Sequence, residues 1–194
     1  MIALSLVFGL MLCILLLRFG RAGLTNLATL HIRNGWLAVC ACGLQLANVV
    51  LQHHRLEILV ATAALLGWFC WTNRRIAGMF FVTAGVVLNL TTMAVNGGTM
   101  PISPVTLERM SGINVASGTS LGYSKDVVRD PHETAMSWFG DRFLLPGPLA
   151  PFAAWSIGDM FLLIGVWRLL WTTMKGPHRD ATTRKTPIRT RQST

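Results

Sequence analysis

The sequence predicts an all-α fold: an integral membrane helix bundle of about five transmembrane helices, with the N-terminus outside, the C-terminus cytoplasmic and one long outer loop. Three observations predict it. Of 194 residues, 52% are hydrophobic and only 13% are charged, whereas an ordinary soluble domain carries about a quarter charged residues. The apolar residues gather in five successive stretches close to the roughly twenty residues that cross a hydrocarbon core, more than a chain this short would bury in a water-soluble interior. The basic residues fall in alternate connections between those stretches, and that asymmetry sets orientation in a membrane.

The first stretch, residues 2–17, is closed by Arg18; it has no basic leading segment and no small-residue cleavage site, so it is expected to be a retained span and not a signal peptide. Residues 20–34 are amphipathic, which fits a short interfacial helix and an irregular loop equally well. The second span covers 36–52. The third, 56–72, ends in Trp68 and Trp71 followed by Asn73, Arg74 and Arg75, an aromatic and basic border of the kind found at a membrane interface. The fourth, 76–95, follows after a very tight turn. The fifth, 155–173, carries Trp167, Arg168 and Trp171 at its far border. Residues 1–174 are thus expected to form a single membrane domain, and 175–194 a disordered basic cytoplasmic tail.

Arg18, Arg21 and Arg33 lie between the first two spans and Arg74 and Arg75 between the third and fourth, on the side of the tail. The other side receives Arg55 and the long mixed loop. Positive charge inside therefore places the N-terminus outside. Glu57, Glu108, Asp126, Asp130, Glu133, Asp141 and Asp159 all fall on the outer side, and only Asp180 inside. The net charge of +9 is concentrated in the tail, where Lys175, Arg179, Arg184, Lys185, Arg189 and Arg191 face Asp180 alone. Such a tail fixes topology and contacts anionic lipid; it does not point to nucleic acid. The expected partners are the lipid bilayer, and beyond it other membrane proteins or a lipid-like ligand. Cys13, Cys40, Cys42 and Cys70 sit inside apolar runs without C-x-x-C spacing, as small packing residues. Phosphate-binding glycine loops and zinc spacings are absent, so no cofactor and no metal site are expected.

The outer loop, 96–154, is the one sizeable aqueous segment. Gly97-Gly98, Met100-Pro101, Ser103-Pro104 and Pro146-Gly147-Pro148 are turn signals that forbid long regular helices. Its middle, 111–120, is rich in Gly, Ser and Asn and is expected to be mobile; 134–145, with Trp138, Phe139 and Phe143, is expected to return to the membrane surface as a short amphipathic piece.

Polar residues inside the spans collect in one layer. Gln45 and Asn48 lie in the outer half of the second span, and Asn89, Thr91, Thr92 and Asn96 in that of the fourth. Asn89 and Asn96 are spaced to share a helical face. Asp159 stands about one turn below the outer surface on the fifth span, and an ionisable residue there is costly enough to mark a functional site. Two ordinary roles compete with that reading. Asn, Gln and Thr join membrane helices by hydrogen bonds of about 1 kcal/mol. Ser156-Ile157-Gly158-Asp159 is also an S-x-x-D capping box, with the carboxylate favoured by the helix macrodipole.

The combination Asn96-Gly97-Gly98-x-Met100-Pro101, then Gly140-Asp141, then Ser156-Ile157-Gly158-Asp159 with Gly165 beyond it, resembles an uncharacterised family of small bacterial multi-pass membrane proteins classed as a domain of unknown function. The resemblance covers most of the chain and implies a bacterial cytoplasmic-membrane location, but no activity. Asn89 of the polar layer, with Asn96, Gly97, Gly98, Met100, Pro101 and Ser156 of these motifs, are the candidate binding residues. A more local similarity is to lipoprotein signal peptidases, membrane aspartic proteases. They pair an outer Asp-Arg with a second Asp at the outer end of an inward-running last helix, as Asp141-Arg142 and Asp159 are placed here. That similarity implies Asp141 and Asp159 as a catalytic dyad, since two close carboxylates sharing one proton activate a water. This chain departs from that pattern in Trp138-Phe139-Gly140 before Asp141, in Ser156-Ile157-Gly158 before Asp159, and in having five spans for four.

Other constellations are weaker. Ser124-Lys125 has the residue types of a Ser/Lys dyad but no identifiable oxyanion donors. Asp130, His132, Glu133 and Asp141 have metal-ligand chemistry that ordinary loop solvation also explains, and His53 and His54 sit at an outer interface without a partner. Three function classes follow: a non-catalytic accessory or small-ligand-binding membrane protein with a polar outward site around Asp159; a membrane aspartic hydrolase using Asp141 and Asp159; and a small transporter, disfavoured by the absence of inverted repeats.

Overall fold

A computed structural model describes residues 2–51, 54–112, 115–119, 126–144 and 154–176. Helices dominate: α1 (Ile2–Ala28), α2 (Gly35–Val50), α3 (Arg55–Asn73), α4 (Met79–Val95), a short α5 (Pro104–Ser111) and α6 (Ile157–Lys175). Three of them, over Gly9–Ala28, Arg55–Asn73 and Ile157–Lys175, are long and apolar enough to cross a membrane; Gly35–Asn48 and Met79–Val95 are apolar but shorter. Many of their large apolar side chains face outward. Leu17 is 84% exposed and Phe80 76%, which in water would be an aggregation surface and in lipid is the expected one.

The first helix does not stop at Arg18. It continues to Ala28 across a break at Gly20, whose φ of 58° and ψ of −150° only glycine adopts readily. The amphipathic stretch after the first span is therefore a helix, in its first half at least, and not a loop. The remaining helices begin and end within three residues of the expected spans.

The five long helices neighbour one another in the order α1, α6, α4, α3, α2. The directions follow from paired residues. Phe19 packs edge-on against Trp171 at 5.2 Å, and further along both helices Asn26 Nδ2 donates to the Met174 carbonyl at 3.2 Å, so α1 and α6 run parallel. Gln45 Nε2 donates to Thr62 Oγ1 at 3.0 Å, joining antiparallel α2 and α3. At the far end of α3 the Asn73 amide grips the backbone of Arg33 from both sides, accepting its N–H at 2.9 Å and donating to its carbonyl at 2.8 Å.

The described residues between 96 and 155 are more structured than the glycines and prolines there predict. Ser103 caps α5, accepting from the Thr106 N–H at 3.0 Å; Pro104 takes its first position and Gly112, with φ 71°, its end. Strand β1 (Met100–Ile102) pairs in parallel with β2 (Asp126–Val128), and β3 (Phe143–Leu144) pairs antiparallel with β4 (Ala154–Trp155). Ile102, Leu107 and Val128 form a small core of their own. Met100, fully buried against Leu59 and Met93, ties this cap to α3 and α4. Trp138, in a 3₁₀ turn over Ser137–Phe139 that packs on α4 and α6, carries the Arg142 guanidinium on its ring at 4.1 Å. Pro146-Gly147-Pro148 and the tail 177–194 lie outside the described residues.

Candidate functional site

The capping box at the start of α6 is formed. Ser156 Oγ accepts from the Asp159 N–H at 3.0 Å, and Asp159 Oδ2 accepts from the Ser156 N–H at 3.0 Å. The carboxylate does more than cap. Its Oδ1 accepts from Asn89 Nδ2 of α4 at 2.9 Å. The Ser156 hydroxyl, completely buried, lies 2.8 Å from Asp159 Oδ2 and 3.0 Å from Asn89 Oδ1, and its single proton serves one of these two acceptors. Asn89, Ser156 and Asp159 are thus a three-residue clasp between α4 and α6. Among the described residues, Asn89 and Ser156 are the hydrogen-bond partners of the Asp159 carboxylate.

The clasp exists because the two helices approach closely. A Cβ at Gly158 would collide with the Asn89 side-chain amide; one at Gly85 would lie 2.6 Å from the Gly158 carbonyl oxygen; one at Gly165 would lie 2.7 Å from Val82 N. Gly78 and Gly85 on one side meet Gly165 and Gly158 on the other, an antiparallel seam of small residues of the kind that lets membrane helices pack backbone to backbone.

At the end of α4, Asn96 is buried and its Nδ2 donates to the carbonyls of Thr92 and Ala135, each at 2.8 Å. Gly97 and Gly98 have φ 70° and 81°, the left-handed region that glycine tolerates. A Cβ at Gly98 would meet Arg55 backbone and side chain from 2.8 Å. The turn they make returns Met100 and Pro101 to the bundle, both buried. The Pro101 carbonyl then accepts from the Asp141 N–H at 3.0 Å, with Gly140 packed so tightly on it that a Cβ would lie 2.6 Å away. Next along, the Arg142 N–H donates to the carbonyl of Trp155 at 3.2 Å, the residue before Ser156. The three motif segments are therefore stitched consecutively: the turn after α4 to Gly140-Asp141, and that segment to the start of α6.

Asp141 is 8% exposed and bridges Ile102 in parallel. Three further buried side chains hold polar atoms without a hydrogen-bond partner among the described residues: Asn48 of α2 with both amide atoms, Asn96 with Oδ1 and Trp155 with Nε1. The acidic stretch after β2 is a local turn, with the His132 N–H donating to Asp130 Oδ1 at 2.9 Å, and no group of metal-ligating side chains occurs among the described residues. His54 sits 3.9 Å from Glu57, both well exposed; His53, Ser124 and Lys125 lie outside the described residues.

The model of a family of unknown function, DUF5317, matches residues 29–171, which include every residue of the clasp and of the three motif segments. The chain belongs to this family. Over 119 residues it is 32% identical to an uncharacterized protein of Thermotoga maritima, an alignment covering 57% of this chain and 61% of that one. The chain thus spans less than two thirds of that relative. No solved structure matches it.

For this DUF5317 protein, sequence reasoning found the polar layer and the cap, and missed what joins them. Gly78 and Gly85, and again Gly158 and Gly165, repeat at the same seven-residue interval, a signal for the seam that was there to be read. The grip of Asn73 on Arg33 has no comparable signal, because it depends on how the connection after α1 lies across the end of α3.

Proposed function

We propose that the protein is a non-catalytic multi-pass protein of the bacterial cytoplasmic membrane, an accessory or small-ligand-binding component whose outward-facing cap of residues 96–155 is the recognition element. The observation that carries this reading is the occupation of Asp159: both carboxylate oxygens accept hydrogen bonds from Ser156 and Asn89, so the group is used in holding α6 to α4. Among the described residues, at most three protein donors fill the roughly four lone-pair sites of the carboxylate, so its main use here is to join the two helices, with at most one site left for a water. The buried polar atoms of Asn96 and Trp155 that lack a partner among the described residues favour ligand binding over a purely structural cap, because buried donors and acceptors are nearly always satisfied.

One observation favours the aspartic-hydrolase reading. Asp141 is buried in the segment that pairs with the residue preceding Ser156, which puts the two acids in linked elements. Complementation of a deletion strain separates the two. On the non-catalytic reading Asp159→Asn and Asp141→Asn both complement at wild-type protein levels. Loss of function in both single variants, with the double variant no worse than either and all three folded, would establish the dyad instead, because residues acting as a unit are not additive.

A further inference from the structure

Between α3 and α4, running from mid-helix to the end of α3 that turns into α4, lies a groove of about 360 Å³, within the roughly 300–1,000 Å³ usual for ligand sites. Ala63 and Gly67 of α3 and Val86 and Leu90 of α4 wall it, and Trp71 and Arg74 stand at its mouth. Gly67 keeps it open: a Cβ there would meet nothing within 4 Å. Gly67 and Val87 are exposed, so the groove opens sideways from helices whose outer surfaces are apolar.

The mouth is built for an anion. The Arg74 guanidinium lies 4.3 Å above the Trp71 ring and spends one N–H on the Trp71 carbonyl at 2.9 Å, which leaves most of its five donors. Arg75 follows it, exposed. Among the described residues neither arginine has a carboxylate partner. An apolar slot that opens toward lipid and ends at a fixed guanidinium matches a molecule with an acyl chain and a phosphate. We propose that the α3–α4 groove binds one anionic phospholipid, its chain lying along Gly67 and its phosphate on Arg74. No residue of the clasp lines the groove, so the proposal is independent of whether the cap is catalytic.

Native mass spectrometry of the full chain in detergent, titrated with phosphatidylglycerol and with phosphatidylcholine, tests this. One phosphatidylglycerol should be retained in preference to phosphatidylcholine by roughly fivefold, the ratio that corresponds to about 1 kcal/mol per basic residue at an anionic lipid. Arg74→Gln should abolish the preference. Gly67→Leu should remove binding of both lipids without loss of folding, since its side chain enters open space and leucine is the better helix former. Arg109→Gln, on α5, should change neither. Equal retention of the two lipids by the wild type, or undiminished phosphatidylglycerol binding by Gly67→Leu, would overturn the proposal.

Discussion

At the scale of single residues, the chemistry of Asp159 is decided by its neighbours. An aspartate that only capped α6 would interact with Ser156 alone, and replacing it would cost about 1 kcal/mol. Here its second oxygen takes the Asn89 amide from another helix, so the two substitutions are coupled. Asn89→Ala and Asp159→Ala should each lower stability by about 1 kcal/mol, as expected for hydrogen bonds between membrane helices and for a lost cap. The double variant should fall short of their sum by at least about 0.5 kcal/mol. Unfolding in mixed micelles measures the cycle, and strict additivity would mean that the clasp contributes nothing. Asp159→Asn should be milder than Asp159→Ala. The Asn89 amide can turn over, presenting its oxygen to the new amide and its nitrogen to the Ser156 hydroxyl, which restores a complete set of donors and acceptors.

At the scale of elements, glycines of one type have opposite consequences. Gly85→Ala, Gly158→Ala and Gly165→Ala each force a methyl group onto the opposing helix, against backbone at Gly85 and Gly165, and each should destabilise by about 1–3 kcal/mol, the usual range for overpacking. Gly43→Ala and Gly67→Ala meet nothing and should stabilise their helices by roughly 0.5–1 kcal/mol. Thermal melting of the five variants in detergent separates the groups, and equal effects would show that α4 and α6 are not in backbone contact. Helix extents were legible because long apolar runs broken by Arg, Asn and Gly have few other solutions. The Ser103-Pro104 start and Gly112 end of α5 were equally visible in sequence, although the surrounding glycines and prolines pointed to turns alone. The pairing of β1 with β2 was not legible, for it joins three-residue strands across a long insertion, and strands so short have no detectable period. Nor was the order of the helices. Spans that are apolar all round do not announce which face meets which neighbour, and the choice falls to small residues and single amides such as Gly85 and Gln45.

At the scale of the whole molecule, the directions of the helices leave one end basic and the other mixed. Because α1 and α6 run parallel and Asn73 holds Arg33, one end gathers Arg33, Arg74, Arg75 and Lys175, while the cap at the other end is mixed, with Glu108, Asp126, Asp130, Glu133 and Asp141 beside Arg109, Arg129 and Arg142. This is the charge distribution that the positive-inside rule reads as a cytoplasmic basic end. The weak point is length: α2 has 16 residues and α4 has 17, roughly 24–26 Å at 1.5 Å per residue, short of a hydrocarbon core of about 30 Å. Each is held against a longer helix, α2 on α3 and α4 between α3 and α6, and a shortfall of a few ångströms costs only fractions of a kcal/mol per ångström through local thinning. Both should therefore cross, and the single crossing by α6 puts the cap and the tail on opposite sides. In a chain with Cys13, Cys40, Cys42 and Cys70 replaced by alanine, a cysteine at Ser117 should be labelled by an impermeant maleimide in intact cells, and one at Thr190 only after lysis. Labelling of Thr190 alone would invert the orientation. Labelling of both positions would place an even number of crossings between them and remove α6 from the set of spans.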